Sequence, residues 1–120
     1  MSGLLIDSDV LTDYLAGREQ AADFIEYARD LHLSAVTIAE IGGAVRSAAE
    51  WSAIEAAFTA LTIHPVDAAI ARAASSLRGK TLAHRLITAT AKVHGLTLVT
   101  RDKKAYPDLT DVLVPYRALL

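Results

Sequence analysis

Short apolar runs alternate with segments of helical periodicity along this chain. Leu4 to Ile6 form a continuous apolar run, as expected of a strand that is buried on both faces. From Asp9 onward apolar residues recur at helical spacing, and Gly17 ends that helix. Further strands are predicted in LHLSAV, LTIHPV, LTLVT and DVLVPY, and further helices over 19–29, 37–49, 51–60, 67–77 and from 81 or 82 to 94.

This alternation predicts the fold class. Strands separated by helical segments favour a parallel sheet with helices on both faces. We therefore expect an α/β fold, a three-layer α/β/α sandwich around a central, mostly parallel sheet of four or five strands. A length of 120 residues suits one domain over residues 1–120, and an apolar fraction of 52% suits a sheet covered on both faces.

The amino-acid composition argues against several classes of protein. The longest uncharged apolar run is far shorter than the roughly 18 residues of a membrane span, so no membrane association is expected. The N-terminus lacks the pattern of a secretory signal peptide. The absence of cysteine excludes disulfides and thiolate metal sites. A cytoplasmic protein is the expectation.

The two parts of the chain differ in charge. Residues 1–71 carry three Arg against eleven acids, a balance of −8, whereas residues 72–104 carry eight Lys and Arg against one Asp, a balance of +7. Such asymmetry is typical of a nucleic-acid surface beside an acidic site, and ordinary solvated helix faces give the same pattern. The candidate contacts to RNA phosphates are Arg85, Arg101, Lys103 and Lys104.

Acids and hydroxyls follow three of the predicted strands. Asp7 ends the first strand, Asp102 lies just beyond the fourth, and Glu40 lies one helical turn after Thr37, which follows the second. The carboxyl ends of parallel strands share one edge of a sheet, where sites form. Clustered carboxylates repel unless a cation neutralises them. Mg²⁺ and Mn²⁺ accept carboxylates, water and phosphate, and activate water for phosphodiester hydrolysis.

Each acid also has an ordinary structural interpretation. Asp7 suits a helix N-cap, and Asp9 suits the first turn of that helix. Glu40 suits a solvated helix face, and Asp102 suits a turn. For any one acid the structural interpretation is favoured, but Asp7, Glu40 and Asp102 together favour a metal site.

Three segments carry a family resemblance. LLIDSDVLTDYL, LSAVTIAEIGGAV and LITATAKVHGLTLVTRD closely resemble the three motif blocks of PIN domains, especially VapC-type toxins of toxin–antitoxin pairs. The resemblance covers essentially the whole chain. It implies a single PIN-like domain, a homodimer, and a Mg²⁺- or Mn²⁺-dependent endoribonuclease. It also implies an antitoxin protein as partner, with a tail that covers the acidic rim.

The resemblance implies roles for particular residues. The first, second and fourth acids of the family fall on Asp7, Glu40 and Asp102, which are thereby the expected catalytic and metal-binding residues. The resemblance also matches Thr100 to the hydroxyl residue beside the last acid, and Ser8 and Asp9 to positions that are usually small or polar. From its place after the second strand, Thr37 is a further expected neighbour of the site, and Asp9, which begins the helix beside Asp7, is a further candidate metal ligand.

The third acid of the family is replaced here. An Asp normally stands two residues before the run that is LITATA in this chain, and the residue at that position is His84. A neutral imidazole binds Mn²⁺ or Zn²⁺ but suits Mg²⁺ poorly. Three interpretations stay open: a one-metal enzyme with His84 as an additional site member, a preference for Mn²⁺, or a non-catalytic module that binds RNA or protein.

A different class, a signalling domain with a phospho-acceptor pocket, needs an acceptor Asp at the end of a middle strand and a Lys after the last strand. Asp102 with Lys103 and Lys104 imitates that arrangement poorly.

Overall fold

The computed structural model describes residues 3–117 and contains one five-stranded sheet. The strands are β1 (Leu4–Ile6), β2 (Leu31–Ser34), β3 (Thr62–His64), β4 (Thr97–Val99) and β5 (Val112–Leu113). The helices are α1 (Ser8–Leu15), α2 (Glu19–Tyr27), α3 (Ala35–Gly42), α4 (Ala48–Phe58), α5 (Ala68–Ala74) and α6 (Leu82–His94), with a 3-10 helix at Lys103–Ala105. The sheet order is β3-β2-β1-β4-β5, and each neighbouring pair is parallel. The predicted α/β/α sandwich is confirmed.

The two faces of the sheet are covered by different helices. Successive strand residues point to opposite faces. Ile6 therefore packs with α1 to α4, whereas its neighbour Leu5 packs with Ile87 of α6. Helix α5 packs on α6 through Ile70 and Ala89. This layering leaves the carboxyl ends of the strands as an edge to which both helical layers contribute residues.

The predicted helix over 37–49 is wrong at both ends. Helix α3 begins earlier because the Ser34 side chain caps it, accepting a hydrogen bond of 3.1 Å from the backbone N–H of Val36. It ends at Gly42 because two consecutive glycines are poor helix formers. A Cβ on Gly42 would lie 2.9 Å from the indole ring of Trp51, so the bare backbone there allows close helix packing.

The next two predicted helices also shift. The helix expected over 51–60 begins at residue 48, because the Ser47 side chain accepts a hydrogen bond of 3.1 Å from the backbone N–H of Glu50. The helix expected over 67–77 already ends at Ala74. Within residues 3–117, no helix has both the length and the apolar character needed to cross a membrane.

Candidate active site

Asp7 joins the end of β1 to the start of α1. Its backbone N–H donates to the carbonyl of Val99 at 2.9 Å, which ties the carboxyl ends of β1 and β4 together. Its side chain is buried, and Oδ1 accepts a hydrogen bond of 2.8 Å from the backbone N–H of Ser8. The N-cap interpretation of Asp7 is therefore correct, but it describes only one of the two carboxylate oxygens.

The second oxygen of Asp7 is held by two hydroxyl groups. Oδ2 accepts hydrogen bonds from Thr100 at 2.8 Å and from the Tyr106 hydroxyl at 2.7 Å. Burial and the Asp7 charge raise the pKa of Tyr106, so its hydroxyl stays protonated and donates. A carboxylate has about four lone-pair positions, and these three donors leave about one available to another ligand.

Asp9 lies beside Asp7 and shares Thr100 with it. Its Oδ2 accepts from the backbone N–H of Arg101 at 2.9 Å and lies 3.3 Å from the Thr100 hydroxyl. Burial, followed by the charge of Asp7, raises the pKa of Asp9, and the backbone N–H groups of Arg101 and Val10 oppose that rise. Two carboxylates are thus held close together at this edge of the sheet.

Glu40 of α3 belongs to the same electrostatic cluster. Burial, followed by the charge of Asp7, raises the pKa of Glu40, and Asp9 adds to this rise. The Ser8 side chain and His84 oppose it. The cluster therefore contains three mutually repelling acids, and it lies where the sequence predicts a site.

His84 lies at the cluster, as its sequence position predicts. Its half-buried ring packs edge-on against Tyr106, with 5.1 Å between centroids and 75° between planes. Among residues 3–117, the buried Nδ1 of His84 and the buried hydroxyl of Thr37 have no hydrogen-bond partner. The fold thus leaves this imidazole nitrogen without a hydrogen-bond partner in the described residues.

Asp102 is less closely associated with the other acids. It is exposed, and its backbone N–H joins it to the cluster by donating to the Thr100 hydroxyl at 3.1 Å. In the described part of the chain, no three His, Cys, Asp or Glu side chains converge closely enough to enclose a metal ion. The crowded carboxylate oxygens nonetheless have the donor chemistry that suits a hard divalent cation.

The basic residues that flank Asp102 occupy different environments. Lys103 and Lys104 are exposed on the 3-10 helix. Arg101 instead packs inward, and its Nε lies 2.9 Å from Oδ2 of Asp13. Arg85 is half-buried near the start of α6. The two lysines are the most accessible of the predicted phosphate contacts.

Two residues of this region are not identified by the sequence patterns. The Tyr106 hydroxyl donates a hydrogen bond to Asp7 from a loop, and hydrophobic periodicity does not predict the path of that loop. Asp13 contacts Arg101 and lies four residues after Asp9 on α1, so helical spacing alone places the two acids on one face. That spacing was the available indication for Asp13.

Fold and site together define a parallel α/β domain with an acidic cluster at the carboxyl end of its sheet, in which Asp7 is buried, Asp9 is half-buried and Glu40 is exposed. The PIN domain family model matches residues 4–109, and the chain therefore belongs to the PIN domain family. PIN domains of VapC toxins are generally nucleases, and the PIN domain family generally uses divalent metal ions. Comparison with curated protein sequences gives no match.

Solved structures similar to this chain include a toxin–antitoxin complex. A toxin–antitoxin complex from Klebsiella pneumoniae has a TM-score of 0.85 and 27% identity, over 97% of this chain and 100% of that one. FitAcB from Neisseria gonorrhoeae has a TM-score of 0.71 and 22% identity, over 93% and 97%. VapBC2 from Rickettsia felis, bound to a DNA fragment from its promoter, has a TM-score of 0.73 and 15% identity, over 92% and 96%. The last two likenesses establish the fold alone.

Proposed function

We propose that this protein is the toxin of a toxin–antitoxin pair and a cytoplasmic, metal-dependent endoribonuclease that hydrolyses RNA phosphodiester bonds. One observation carries the proposal. The buried carboxylate of Asp7 is fixed by three hydrogen-bond donors beside two further acids, Asp9 and Glu40. Such mutual repulsion is unfavourable in a purely structural cluster, and acids with perturbed pKa values are typical of functional sites.

Asp7, Glu40 and Asp102 would hold Mg²⁺ or Mn²⁺, with Asp9 and His84 as additional members. The bound ion supplies an activated water and stabilises the leaving oxygen. Outer partners that orient ligating carboxylates are part of such sites. Here the Thr100 and Tyr106 hydroxyls fix the rotation of the Asp7 carboxylate, and the crowding of the acids disfavours the cluster until a cation is present.

The substrate side of the proposal rests on charge. Lys103 and Lys104 are exposed directly after Asp102, so RNA phosphates bound there would adjoin the acids. Each phosphate contact to a single strand contributes about −0.7 to the slope of log K against log salt concentration. Changing both lysines to Gln is expected to reduce that slope by about 1.4 and to weaken RNA binding without altering metal binding.

The antitoxin side of the proposal rests on a groove between α1, α3 and α4. The groove has a volume of about 430 Å³, is lined by apolar side chains such as Leu15, Ile41 and Ile54, and reaches Glu40. An apolar segment of an antitoxin would fit there and cover the acidic cluster. The similar complex from Klebsiella pneumoniae contains a toxin with its antitoxin. A homodimer is proposed on the family resemblance.

The test is cleavage of a panel of structured RNAs by the pure protein in Mg²⁺, in Mn²⁺ and in EDTA. Wild type is compared with Asp7→Asn and His84→Asp. We expect wild type to cut, and both EDTA and Asp7→Asn to abolish cutting. Loss of a ligand is expected to reduce the rate by at least about 100-fold, the upper end of what loss of an outer contact costs.

A second candidate function, a non-catalytic module that binds RNA or protein, is favoured by one observation. His84 stands where the family has an acid. Cleavage by His84→Asp with a silent wild type would establish this alternative. Cleavage by wild type would exclude it.

A further inference from the structure

We propose that Asp13 is a positioning residue that holds the Arg101 guanidinium away from the carboxylates of Asp7 and Asp9. The inference rests on the proposed function, because it concerns access of a divalent cation to the acidic cluster. Neither the motif blocks nor the family resemblance assigns a role to Asp13.

Arg101 is held at two points by two acids of the same helix. Its backbone N–H donates to Asp9 at 2.9 Å. Its side-chain Nε forms an ion pair with Asp13, 2.9 Å from Oδ2, although the N–H does not point at that oxygen as a hydrogen bond requires. Asp9 and Asp13 are four residues apart on α1 and therefore lie one above the other on the same face. The guanidinium is thus displaced by one helical turn from the cluster that its own backbone adjoins.

Other residues fix the Asp13 carboxylate in place. Its Oδ2 also accepts from Nη1 of Arg18 at 3.1 Å and from the Tyr116 hydroxyl at 2.8 Å. The Arg18 guanidinium lies 4.5 Å above the Tyr116 ring, and its Nη2 donates to the carbonyl of Arg117 at 2.8 Å. The Asp13 side chain is only 17% exposed. Asp13 is therefore a rigid acceptor, not a mobile surface acid.

Removal of the Asp13 charge would leave Arg101 without this partner. Arginine is always protonated and binds carboxylates in a bidentate manner. Arg101 already adjoins the Asp9 carboxylate, because Oδ2 of Asp9 accepts from its backbone N–H. Burial and Asp7 raise the pKa of Asp9, and the Arg101 charge already opposes that rise. The guanidinium would then neutralise the acids and compete with a divalent cation.

The experiment measures Mn²⁺ binding to the full chain, without RNA, by electron paramagnetic resonance of the free ion. We expect Asp13→Asn to weaken binding by about 10- to 100-fold, as loss of an outer partner does at metal sites. Removing the competing charge with Arg101→Gln should restore near wild-type affinity in the Asp13→Asn background. The matched control is Asp23→Asn, which removes the same charge from an exposed position of α2.

The outcomes separate this inference from the proposed function. Absence of Mn²⁺ binding by wild type contradicts the proposed function itself. Binding by wild type with equal affinity in Asp13→Asn overturns only the role of Asp13. If Asp13→Asn binds Mn²⁺ weakly and Arg101→Gln does not restore its affinity, Asp13 supports the fold instead. That outcome also overturns the inference. If Asp13→Asn does not fold, Arg101→Gln is compared with the double variant, and unequal affinities overturn it.

Discussion

Two polar clusters lie on the same sheet and differ in how their groups are paired. The acidic cluster of Asp7, Asp9 and Glu40 brings like charges together, and burial with mutual repulsion raises the pKa of Asp9 and Glu40. The histidine cluster, formed by His32, His64, His94 and Asp30, lies between the β2–β3 edge and the last turn of α6. One cluster brings together charges of the same sign, whereas the other pairs groups that complement one another.

The histidine cluster forms a continuous chain of contacts. The Nε2 of His32 lies 2.8 Å from Oδ1 of Asp30, and its Nδ1 lies 2.8 Å from Nε2 of His64. Because a carboxylate only accepts, the Nε2 of a neutral His32 carries the proton and its Nδ1 accepts from His64. The His64 and His94 rings stack with 4.1 Å between centroids. These groups complement one another and indicate a structural role.

After the loss of Asp7 itself, the largest expected effect is that of Thr100→Val, which removes the hydroxyl shared by Asp7, Asp9 and the backbone of Asp102. We expect metal-dependent cleavage to fall by about 10- to 100-fold. The matched control is Thr90→Val, because Thr90 is equally buried but its hydroxyl donates to the carbonyl of Leu86 within α6. Equal activity of the two variants would contradict a special role for Thr100. The measurement is the initial rate on a cleavable RNA.

Tyr106→Phe tests the second hydroxyl of the acidic cluster. It removes a buried donor to the Asp7 carboxylate, and a hydrogen bond to a charged group contributes about 1.5 to 3 kcal/mol. We expect a loss of this size in the free energy of unfolding by urea. Tyr116→Phe, which removes a donor to the less buried Asp13, should cost less. The opposite order would show that burial does not strengthen the Asp7 contact.

The sequence predicts these clusters unequally for physical reasons. Asp7 and Thr100 follow strands of one parallel sheet, so chain topology alone brings them to one edge. Tyr106 follows a 3-10 helix, and its position depends on a loop path that hydrophobic periodicity does not encode. The histidine pair requires the register in which His32 faces Thr62 and Ser34 faces His64. The apolar pattern of each strand, taken alone, does not reveal how the two strands are aligned, so the sequence does not predict that register.

Helix boundaries show the same limit at short range. The predicted alternation of strands and helices is present in the structure. The predicted helix over 37–49, however, ends at Gly42, where a side chain would collide with the ring of Trp51. The helical periodicity of apolar residues continues across this break in the sequence, because the alanines on both sides fit a continuous helix as well as an interrupted one. Local capping by Ser34 and Ser47 decided the helix starts.

Gly3→Ala tests the packing of the histidine cluster. A Cβ at Gly3 would meet the His32 ring, 2.6 Å from Cδ2, and would lie 2.8 Å from Oδ2 of Asp30. Overpacking of this kind costs about 1 to 3 kcal/mol, so the free energy of unfolding should fall while Mn²⁺ binding is retained. Gly43→Ala is the control, since its Cβ would make an ordinary contact at 3.6 Å. Loss of Mn²⁺ binding in Gly3→Ala would show that the two clusters are coupled.

The smallest effect is a pH dependence of stability from His64. Burial, followed by the rings of His94 and His32, lowers the pKa of His64 below its ordinary value. The unfolded chain therefore binds this proton more readily than the folded protein does. The stability contribution is complete above the ordinary histidine pKa of about 6.5 and is lost as pH falls through the lower folded value.

For a one-proton difference the slope cannot exceed about 1.4 kcal/mol per pH unit. Urea unfolding of wild type and His64→Gln between pH 5 and pH 8 isolates this proton from the titrating acids, which both chains share. Wild type should lose stability more steeply than His64→Gln as the pH falls. Parallel curves would mean that protonation of the histidine cluster does not lower the free energy of unfolding. The contacts among its side chains would then not require neutral rings.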